Sequence, residues 1–412
     1  MDYALPMTVN WVNVRVLART MLRKIHIQDF RLCKDVLIDG LSDVTALVGR
    51  NGAGKTNILQ AIDQTARAAT SNNSAIIQKL YTLATVFSAT LEFDIGDSVY
   101  RYTLSIPVSQ TNGKFELNVN ELLDRKNGED WITILKRQVG TVQVGDQTLQ
   151  IGKTVPSLPA VATVLPPDDE IVVKIKQVIT FLSNIHYYPL DEQGAQTEPS
   201  GPVPESQYKA WLADRSAAGN DVLFRIIHMA LERPDDLRIL KDLLGPKGLG
   251  LIGGLVVHPI SGEGTGSSSS SSEGMYYLVY FSPMRGQGVV PLRLQYGALS
   301  SGTRRVLRIL ASLLFDGNSV MLLEQPEDSL HQGLTKRLID LLRTNADPSQ
   351  LIISSHSSAL LNKLKPEEIR LVSLRDGFTH VRSLSQKEVE IAIKFMNDDG
   401  PLYDFLDTVQ EH

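Results

Sequence analysis

The chain has 412 residues, a formal net charge of −5 and a single cysteine, Cys33. This length suits one large domain or two modest ones, and the hydrophobic fraction of 42% is enough for a sizeable core. One cysteine excludes a disulfide framework and suits a reducing compartment. No apolar stretch approaches the roughly 20 residues that a membrane-spanning helix needs, and residues 1–20 lack a secretory signal pattern. We therefore expect a cytoplasmic protein without membrane contact, in which residues 1–20 form an N-terminal extension.

The mildly acidic charge comes without any dense block of lysine or arginine. Strong non-specific DNA binding usually leaves a basic footprint, because each phosphate contact contributes salt-dependent affinity. Arg304, Arg305 and Arg308 could still line a local groove in a dimer, or they could be solvated or interface residues. DNA therefore stays open as a partner.

The first motif is a phosphate-binding loop of the form G-x-x-x-x-G-K-T at residues 49–56. A short apolar strand at 44–48 precedes it, and a helix with Ile58, Leu59 and Ile62 on one face follows. In such a loop the backbone N–H groups face phosphate, the lysine reaches the β- and γ-phosphates, and the threonine hydroxyl binds Mg²⁺. The flanking strand and helix disfavour a glycine-rich turn without function. The sequence therefore predicts an ATP and Mg²⁺ site in which Lys55 also acts on the transferred phosphate, and which is formed by Asn51, Gly52, Ala53, Gly54, Lys55, Thr56 and Asn57.

Strands are predicted from residue 21 to about residue 110. Leu91, Phe93 and Ile95 alternate with polar residues, and the alternation resumes at Tyr100 after a turn at residues 96–98. This pattern predicts a β-hairpin.

Residues 121–249 are expected to form an insertion, and its second half has two helical apolar patterns. No heptad repeat is sustained, which favours a short helical lid. Residues 262–274 are predicted to be a flexible Ser/Gly loop between two strands, followed by a strand pair at 276–281 and 289–294. The helical apolar positions are Val222, Leu223, Ile226, Ile227 and Ala230 and, after Pro234, Leu237, Leu240 and Leu244.

A second motif, LSSGT at residues 299–303, opens a helix whose apolar residues form one stripe. Taken alone, this Ser-Gly-Thr turn would be an ordinary helix N-cap. Its position shortly before a third motif favours a functional interpretation. The stripe consists of Val306, Leu307, Leu310, Leu313 and Leu314.

The third and fourth motifs each follow an apolar strand-like run. VMLLEQPE at residues 320–327 carries Glu324, and a carboxylate at the end of such a strand usually holds the magnesium ion. IISSHS at residues 352–357 places His356 directly after a strand and before a helix. A lone histidine is more often a surface residue, but the order and spacing of the motifs favour a role at the phosphates.

The order of these motifs, with the opening MLRKIHIQDF at residues 21–30, resembles SMC/RecF-like ABC-type ATPases. Within that group the chain is most similar to compact bacterial anti-phage ATPases of the Septu and PARIS type. The resemblance implies an α/β ABC-type P-loop domain with mixed sheets and a helical insertion in place of a long coiled coil. Its ATPase core would comprise residues 21–120 and 250–384, with 385–412 as a C-terminal tail.

The resemblance also implies roles for the later motifs. Ser300, Ser301 and Gly302 would contact the γ-phosphate bound to a second subunit, as His356 would within its own subunit. Two copies would then form a head-to-tail homodimer around two Mg²⁺–ATP, with higher oligomers possible. His331 would lie in the segment that crosses this interface or would only shape it. The glutamine of the family's γ-phosphate-sensing loop has no recognisable pattern here.

Gln325 departs from the family pattern. The matching position carries the glutamate that polarises the attacking water, and an amide cannot accept a proton. Losing a positioned general base costs about 10²–10⁴ in rate, so we expect ATP binding with impaired hydrolysis. Gln325 is either native or a substitution that holds the ATP state.

Three functions stay open. The first is an ATPase that gates a separately encoded nuclease or toxin in anti-phage defence. The second is a RecF-like DNA-repair or DNA-binding ATPase. The third is a scaffold that binds nucleotide without hydrolysing it.

Overall fold

The computed structural model describes residues 20–71, 87–111, 114–189, 201–213, 222–263, 273–284, 292–345 and 349–410. The N-terminal extension up to residue 19, the serine run at 267–272 and the first three residues of the strand expected at 289–294 lie outside these ranges. The chain divides into two units. The first comprises Met1–Tyr188, Asn318–Gln325 and Ile339–His412, and the second comprises Pro189–Gly317 and Pro326–Leu338.

The strands of the described residues are numbered in chain order. They are β1 (Thr20–Phe30), β2 (Cys33–Ile38), β3 (Val44–Val48), β4 (Phe87–Ile95), β5 (Ser98–Ile106), β6 (Val108–Thr111), β7 (Lys114–Leu117), β8 (Asn120–Asn127), β9 (Asp130–Gln138), β10 (Thr141–Val144), β11 (Gln147–Gln150), β12 (Ile185–Tyr188), β13 (Val203–Pro204), β14 (Gly254–Glu263), β15 (Glu273–Ser282), β16 (Val320–Glu324), β17 (Gln350–Ser355), β18 (Ile369–Arg375) and β19 (Phe378–Ser383).

The α-helices of the described residues are numbered in the same way. They are α1 (Lys55–Thr70), α2 (Ser157–Val164), α3 (Glu170–Ser183), α4 (Glu205–Ala213), α5 (Val222–Glu232), α6 (Pro234–Leu244), α7 (Ser301–Phe315), α8 (Gln332–Asn345), α9 (Ser358–Leu361), α10 (Gln386–Asp398) and α11 (Leu402–Gln410). No helix among the described residues combines the length and the hydropathy that a membrane crossing requires.

The first unit contains an antiparallel sheet of eight strands in the order β11-β10-β9-β8-β5-β4-β1-β2. The predicted hairpin is confirmed as β4 and β5, with Phe93 opposite Tyr100 and Ile95 opposite Ser98. The α1 helix packs against α2, α3 and strands of this unit, and its apolar face joins the main hydrophobic core.

A second sheet of the first unit has six strands in the order β12-β16-β17-β3-β18-β19. Its first five strands are parallel to one another, and β19 returns antiparallel to β18. Every residue of β3, β16 and β17 is buried. Continuous burial is expected for parallel strands that are covered on both faces. The predicted fold class, an α/β P-loop domain with mixed sheets, is confirmed.

The structure differs from the expected boundary at residue 121. Residues 120–150 form β8 to β11 in the large antiparallel sheet, and α2 and α3 pack with α1 in the first unit. The physical reason is hairpin formation at two tight turns, where Gly128 and Gly145 have positive φ values of 61° and 55°. The helices predicted for the second half of the insertion are present as α5 and α6.

The second unit contains a three-stranded antiparallel sheet in the order β13-β15-β14, and α5 and α6 pack against α7. The strands that flank the serine run, β14 and β15, pair from Gly254 opposite Ser282 to Glu263 opposite Glu273. β15 contains residues 276–281, and the structure describes residues 292–294 of the segment expected to pair with them, 289–294. Of the latter segment, Leu294 makes an isolated bridge to Phe281.

Candidate nucleotide-binding site

The phosphate-binding loop leaves the carboxyl end of β3 and ends where α1 begins at Lys55. Gly52 and Gly54 have φ values of 82° and 102°, a region that side chains disfavour. At two glycines there is also no room for a side chain. A Cβ at Gly49 would lie 2.0 Å from the carbonyl oxygen of Val372, and a Cβ at Gly54 would lie 1.9 Å from Oγ1 of Thr379. The β18–β19 hairpin therefore fixes the loop from one side.

The loop and the first turn of α1 provide an environment for an anion. The first N–H groups of a helix have no intrahelical partners, and the first turn of α1 contains no acidic residue. Lys55 is buried, and its Nζ donates to the carbonyl oxygens of Gly49 at 2.7 Å and Arg50 at 3.0 Å. The ammonium group is thus held inside the loop, where a bound phosphate would meet it. These residues fit a nucleoside triphosphate.

Arg31 is a neighbour of the loop that the sequence interpretation missed. Its Nη1 donates to Oδ1 of Asn57 at 3.3 Å and to Oε1 of Gln60 at 2.5 Å, both on α1. Arg31 lies in the turn between β1 and β2, where its backbone has a φ of 52°. An isolated arginine in a turn has no sequence signal that could have revealed this contact.

The parallel register brings the later motifs to the same sheet edge as the loop. Glu324 is the register partner of Ser354, and Ser355 is the partner of Val48. Glu324 is buried, and its Oε1 accepts a hydrogen bond from Oγ1 of Thr56. The two residues predicted to bind magnesium are therefore in direct contact. A hydroxyl and a carboxylate are hard oxygen donors, which fit Mg²⁺ when phosphate oxygens and water complete its shell.

Tyr187 on β12 contacts the same carboxylate from the opposite side. Its hydroxyl donates to Oε2 of Glu324. Burial of the phenol, together with this hydrogen bond to Glu324, raises the pKa of Tyr187. The phenol therefore stays protonated and acts as a hydrogen-bond donor throughout the physiological pH range. The sequence interpretation did not include Tyr187.

Gln325 and His356 lie together at the ends of neighbouring strands. The Gln325 N–H donates to the carbonyl oxygen of Ser354 at 2.9 Å, and Gln325 has a φ of 43°. Its Nε2 lies 3.1 Å from Nδ1 of His356. When this amide donates to Nδ1, the neutral imidazole carries its proton on Nε2 and can donate it to an anion.

Ser300, Ser301 and Gly302 belong to the second unit. Ser300 caps α7 by accepting from the Thr303 N–H at 3.2 Å. A Cβ at Gly302 would lie 2.5 Å from the carbonyl oxygen of Ser329, so the turn packs closely against the segment after Pro326. His331 accepts from the Leu334 N–H at 3.2 Å through Nδ1, which places it at the start of α8. The capping interpretation of Ser300 is therefore observed, and a phosphate contact stays a prediction.

A protein-family model described as "AAA domain, putative AbiEii toxin, Type IV TA system" matches residues 44–362. The chain belongs to this family. The match runs from β3, which precedes the phosphate-binding loop, to the helix after His356, so it contains all four motifs. Nucleotide binding, usually with Mg²⁺, and ATPase activity are general properties of this AAA family.

Solved structures with a similar arrangement include three SMC heads. An SmcHead bound to the C-winged helix domain of ScpA covers 90% of this AAA-family chain and 99% of its own, with 16% identity and a TM-score of 0.45. A Pyrococcus furiosus Smc head with an extended coiled coil, bound to the C-terminal domain of ScpA, covers 92% and 100%, with 14% identity and a TM-score of 0.47. The SMC head of Thermotoga maritima covers 88% and 99%, with 14% identity and a TM-score of 0.37. A comparison with curated proteins finds no match.

Proposed function

We propose that this protein is an ABC-type ATPase that closes into a head-to-tail homodimer around two Mg²⁺–ATP and thereby gates a partner effector. The observation that carries the proposal is the assembly of the phosphate-binding loop, Glu324, Gln325 and His356 at one edge of a parallel sheet. Ligands of open α/β sheets bind outside the carboxyl ends of the strands, which is where these residues lie.

Within one subunit each residue has a separate task. Lys55 neutralises the charge of the β- and γ-phosphates, while Thr56 and Glu324 hold Mg²⁺. A bound Mg²⁺ supplies charge stabilisation to the phosphate oxygens. His356 donates a hydrogen bond to the γ-phosphate, and Gln325 orients water without accepting its proton. ATP therefore binds well and is hydrolysed slowly.

The proposed dimer uses the residues of the second unit. Ser300, Ser301 and Gly302 stand at the N-terminus of α7, where backbone N–H groups favour an anion. In the dimer they contact the γ-phosphate held by Lys55 of the other copy. ATP at roughly a thousandfold over its Kd would stabilise such a closed state by about 4 kcal/mol per site. Loss of the γ-phosphate would release it.

The effector is proposed to be a separately encoded toxin or nuclease in anti-phage defence. The resemblance to Septu- and PARIS-type ATPases supports this role. The family description names a type IV toxin–antitoxin system, and there the putative toxin is the AAA-domain family itself. The RecF-like and the naturally non-hydrolysing alternatives stay predictions. Salt-sensitive DNA binding that requires ATP would favour the former.

Sedimentation velocity with and without Mg²⁺–ATP tests the dimer. Lys55→Ala should abolish both ATP binding and dimer formation. Ser301→Arg should bind ATP as the unchanged protein does but stay monomeric, because the arginine blocks the turn. This substitution leaves the Ser300 cap in place.

A mixture of the two variants provides the sharpest control. One Lys55→Ala chain and one Ser301→Arg chain together contain one intact composite site, so ATP should restore part of the dimer population. Dimer formation by Ser301→Arg alone, at the level of the unchanged protein, would show that the turn does not contact nucleotide across subunits.

A further inference from the structure

Both oxygens of the Glu324 carboxylate have a hydrogen-bond partner. Oε1 accepts from Oγ1 of Thr56 on α1, and Oε2 accepts from the Tyr187 hydroxyl on β12. The carboxylate is buried, and its donors come from two elements that are far apart in sequence. Its plane is therefore fixed from both sides.

The length of the glutamate explains why the second donor matters. A glutamate side chain has one more rotatable bond than an aspartate side chain, so its carboxylate can adopt more orientations. Tyr187 is the register partner of Leu322, two residues before Glu324 on the neighbouring strand. This register lets the phenol reach past the strand end and hold the distal oxygen.

We propose that Tyr187 is a positioning residue for magnesium, which holds the longer Glu324 side chain so that Oε1 faces Thr56. The inference rests on the proposed binding of Mg²⁺–ATP. Hydrogen bonds to a metal-ligating carboxylate fix its orientation, and their loss typically lowers metal affinity about 10-fold to 100-fold. Tyr187 contacts neither nucleotide nor metal in this account and acts through Glu324.

The test is the Mg²⁺ dependence of binding of a fluorescent ATP analogue, measured for the unchanged chain and for Tyr187→Phe. The variant should need about 10-fold to 100-fold more Mg²⁺ for half-maximal binding, and binding in EDTA should not change. Tyr188→Phe is the matched control. It removes a phenol from the adjacent position, which points to the opposite face of β12 and donates to Asn318 at 3.4 Å. Its Mg²⁺ dependence should equal that of the unchanged chain.

A double-mutant cycle separates positioning from a structural role. Because the shorter aspartate of Glu324→Asp cannot reach Tyr187, adding Tyr187→Phe to it should cause little further change in Mg²⁺ dependence. An unchanged Mg²⁺ dependence in Tyr187→Phe would overturn the inference, as would equal losses for the Tyr187 and Tyr188 variants with matching falls in melting temperature. If the unchanged chain binds no ATP analogue, the proposed function fails instead.

Discussion

Thr379 connects the β18–β19 hairpin to the phosphate-binding loop. Its side chain is buried, and Oγ1 donates to the carbonyl oxygen of Ala53 at 2.9 Å. The same hydroxyl fills the space beside Gly54, and the Thr379 N–H donates to the carbonyl oxygen of Leu32 at 2.8 Å. One residue, which lies more than three hundred positions away in sequence, therefore helps to set the loop geometry.

Thr379→Val should destabilise the protein by about 1–3 kcal/mol, because it leaves the buried Ala53 carbonyl without its donor. ATP affinity should fall as well, since the loop loses a fixed point. Denaturant unfolding and ATP titration measure the two effects. Thr103→Val is a suitable control, because the Thr103 hydroxyl pairs with Thr90 at 2.9 Å in the antiparallel sheet. Unchanged ATP affinity in Thr379→Val would contradict the role in the loop.

Cys33 should be almost unreactive in the folded protein. It is fully buried, and burial raises the pKa of its thiol to about 11. Only the thiolate is nucleophilic, so labelling at pH 8 should be at least about 10²-fold slower than for a free cysteine. The rate should rise as the pH approaches the raised pKa. Because the chain has no other cysteine, a thiol reagent reports this position alone. Equal rates in native and denaturing buffer would contradict the expectation.

The residues of the site fall into two groups, those that belong to a local sequence motif and those that do not. Lys55, Thr56, Glu324, Gln325 and His356 belong to local patterns. The structure places Thr56 beside Glu324 and Gln325 beside His356. Tyr187, Thr379 and Arg31 contact the same site through tertiary packing alone. A side chain that contacts the site only through tertiary packing is not part of a local sequence pattern, so it could not be predicted from the sequence.

Arg137 joins the outer strands of the antiparallel sheet to the start of α2. Its guanidinium is fully buried, with Nη1 2.8 Å from Oε2 of Glu121. Nη2 donates to the carbonyl oxygens of Gly152 at 3.0 Å and Lys153 at 2.6 Å, and Glu121 accepts from the Ser157 N–H at 3.0 Å. This network fixes the segment between β11 and α2, which lies among the residues that the sequence pattern places in an insertion.

Arg137→Met should destabilise the protein by about 3–5 kcal/mol, because it leaves the Glu121 carboxylate buried without its charge partner. Unfolding in guanidinium chloride measures this change in the free energy of unfolding. Lys174→Met removes an exposed pair with Glu170 one helical turn away, and it should destabilise the protein much less than Arg137→Met does, because solvent screens exposed ion pairs. Similar losses of unfolding free energy for both variants would show that the buried Arg137 network stabilises the protein no more than an exposed ion pair does.

The secondary-structure elements also show what local sequence patterns can and cannot predict. The β4–β5 hairpin and the apolar stripe of α7 were readable because alternation and helical spacing are local. The strands β8 to β11 were missed, although the two-residue loop Gly145-Asp146 between β10 and β11 is a hairpin signal. A register shift between Leu123 and Asp124 interrupts the alternation in β8. Membership of the large sheet also depends on the pairing of β8 with β5, which no local window contains.

At the scale of the whole molecule, the first unit carries Lys55, Glu324 and His356, and the second carries Ser300 to Gly302. The proposed dimer requires both sets, because each nucleotide would be held by the first set of one copy and the second set of the other. In the proposed cycle, Gln325 would determine how long the closed state lasts. A substitution at this position would change the lifetime of the proposed dimer and leave its contacts unchanged.

The proposed catalytic role of residue 325 is tested by steady-state ATP turnover, measured for the unchanged chain and for Gln325→Glu, with nucleotide occupancy determined in both. Gln and Glu have the same size and branching, so the backbone at φ 43° and the N–H bond to Ser354 should persist in both. Lys55→Ala in the Gln325→Glu background controls for contaminating activity. We expect equal occupancy and turnover about 10²–10⁴ faster for Gln325→Glu. Equal occupancy without any gain in turnover would contradict the role of residue 325 as the catalytic position.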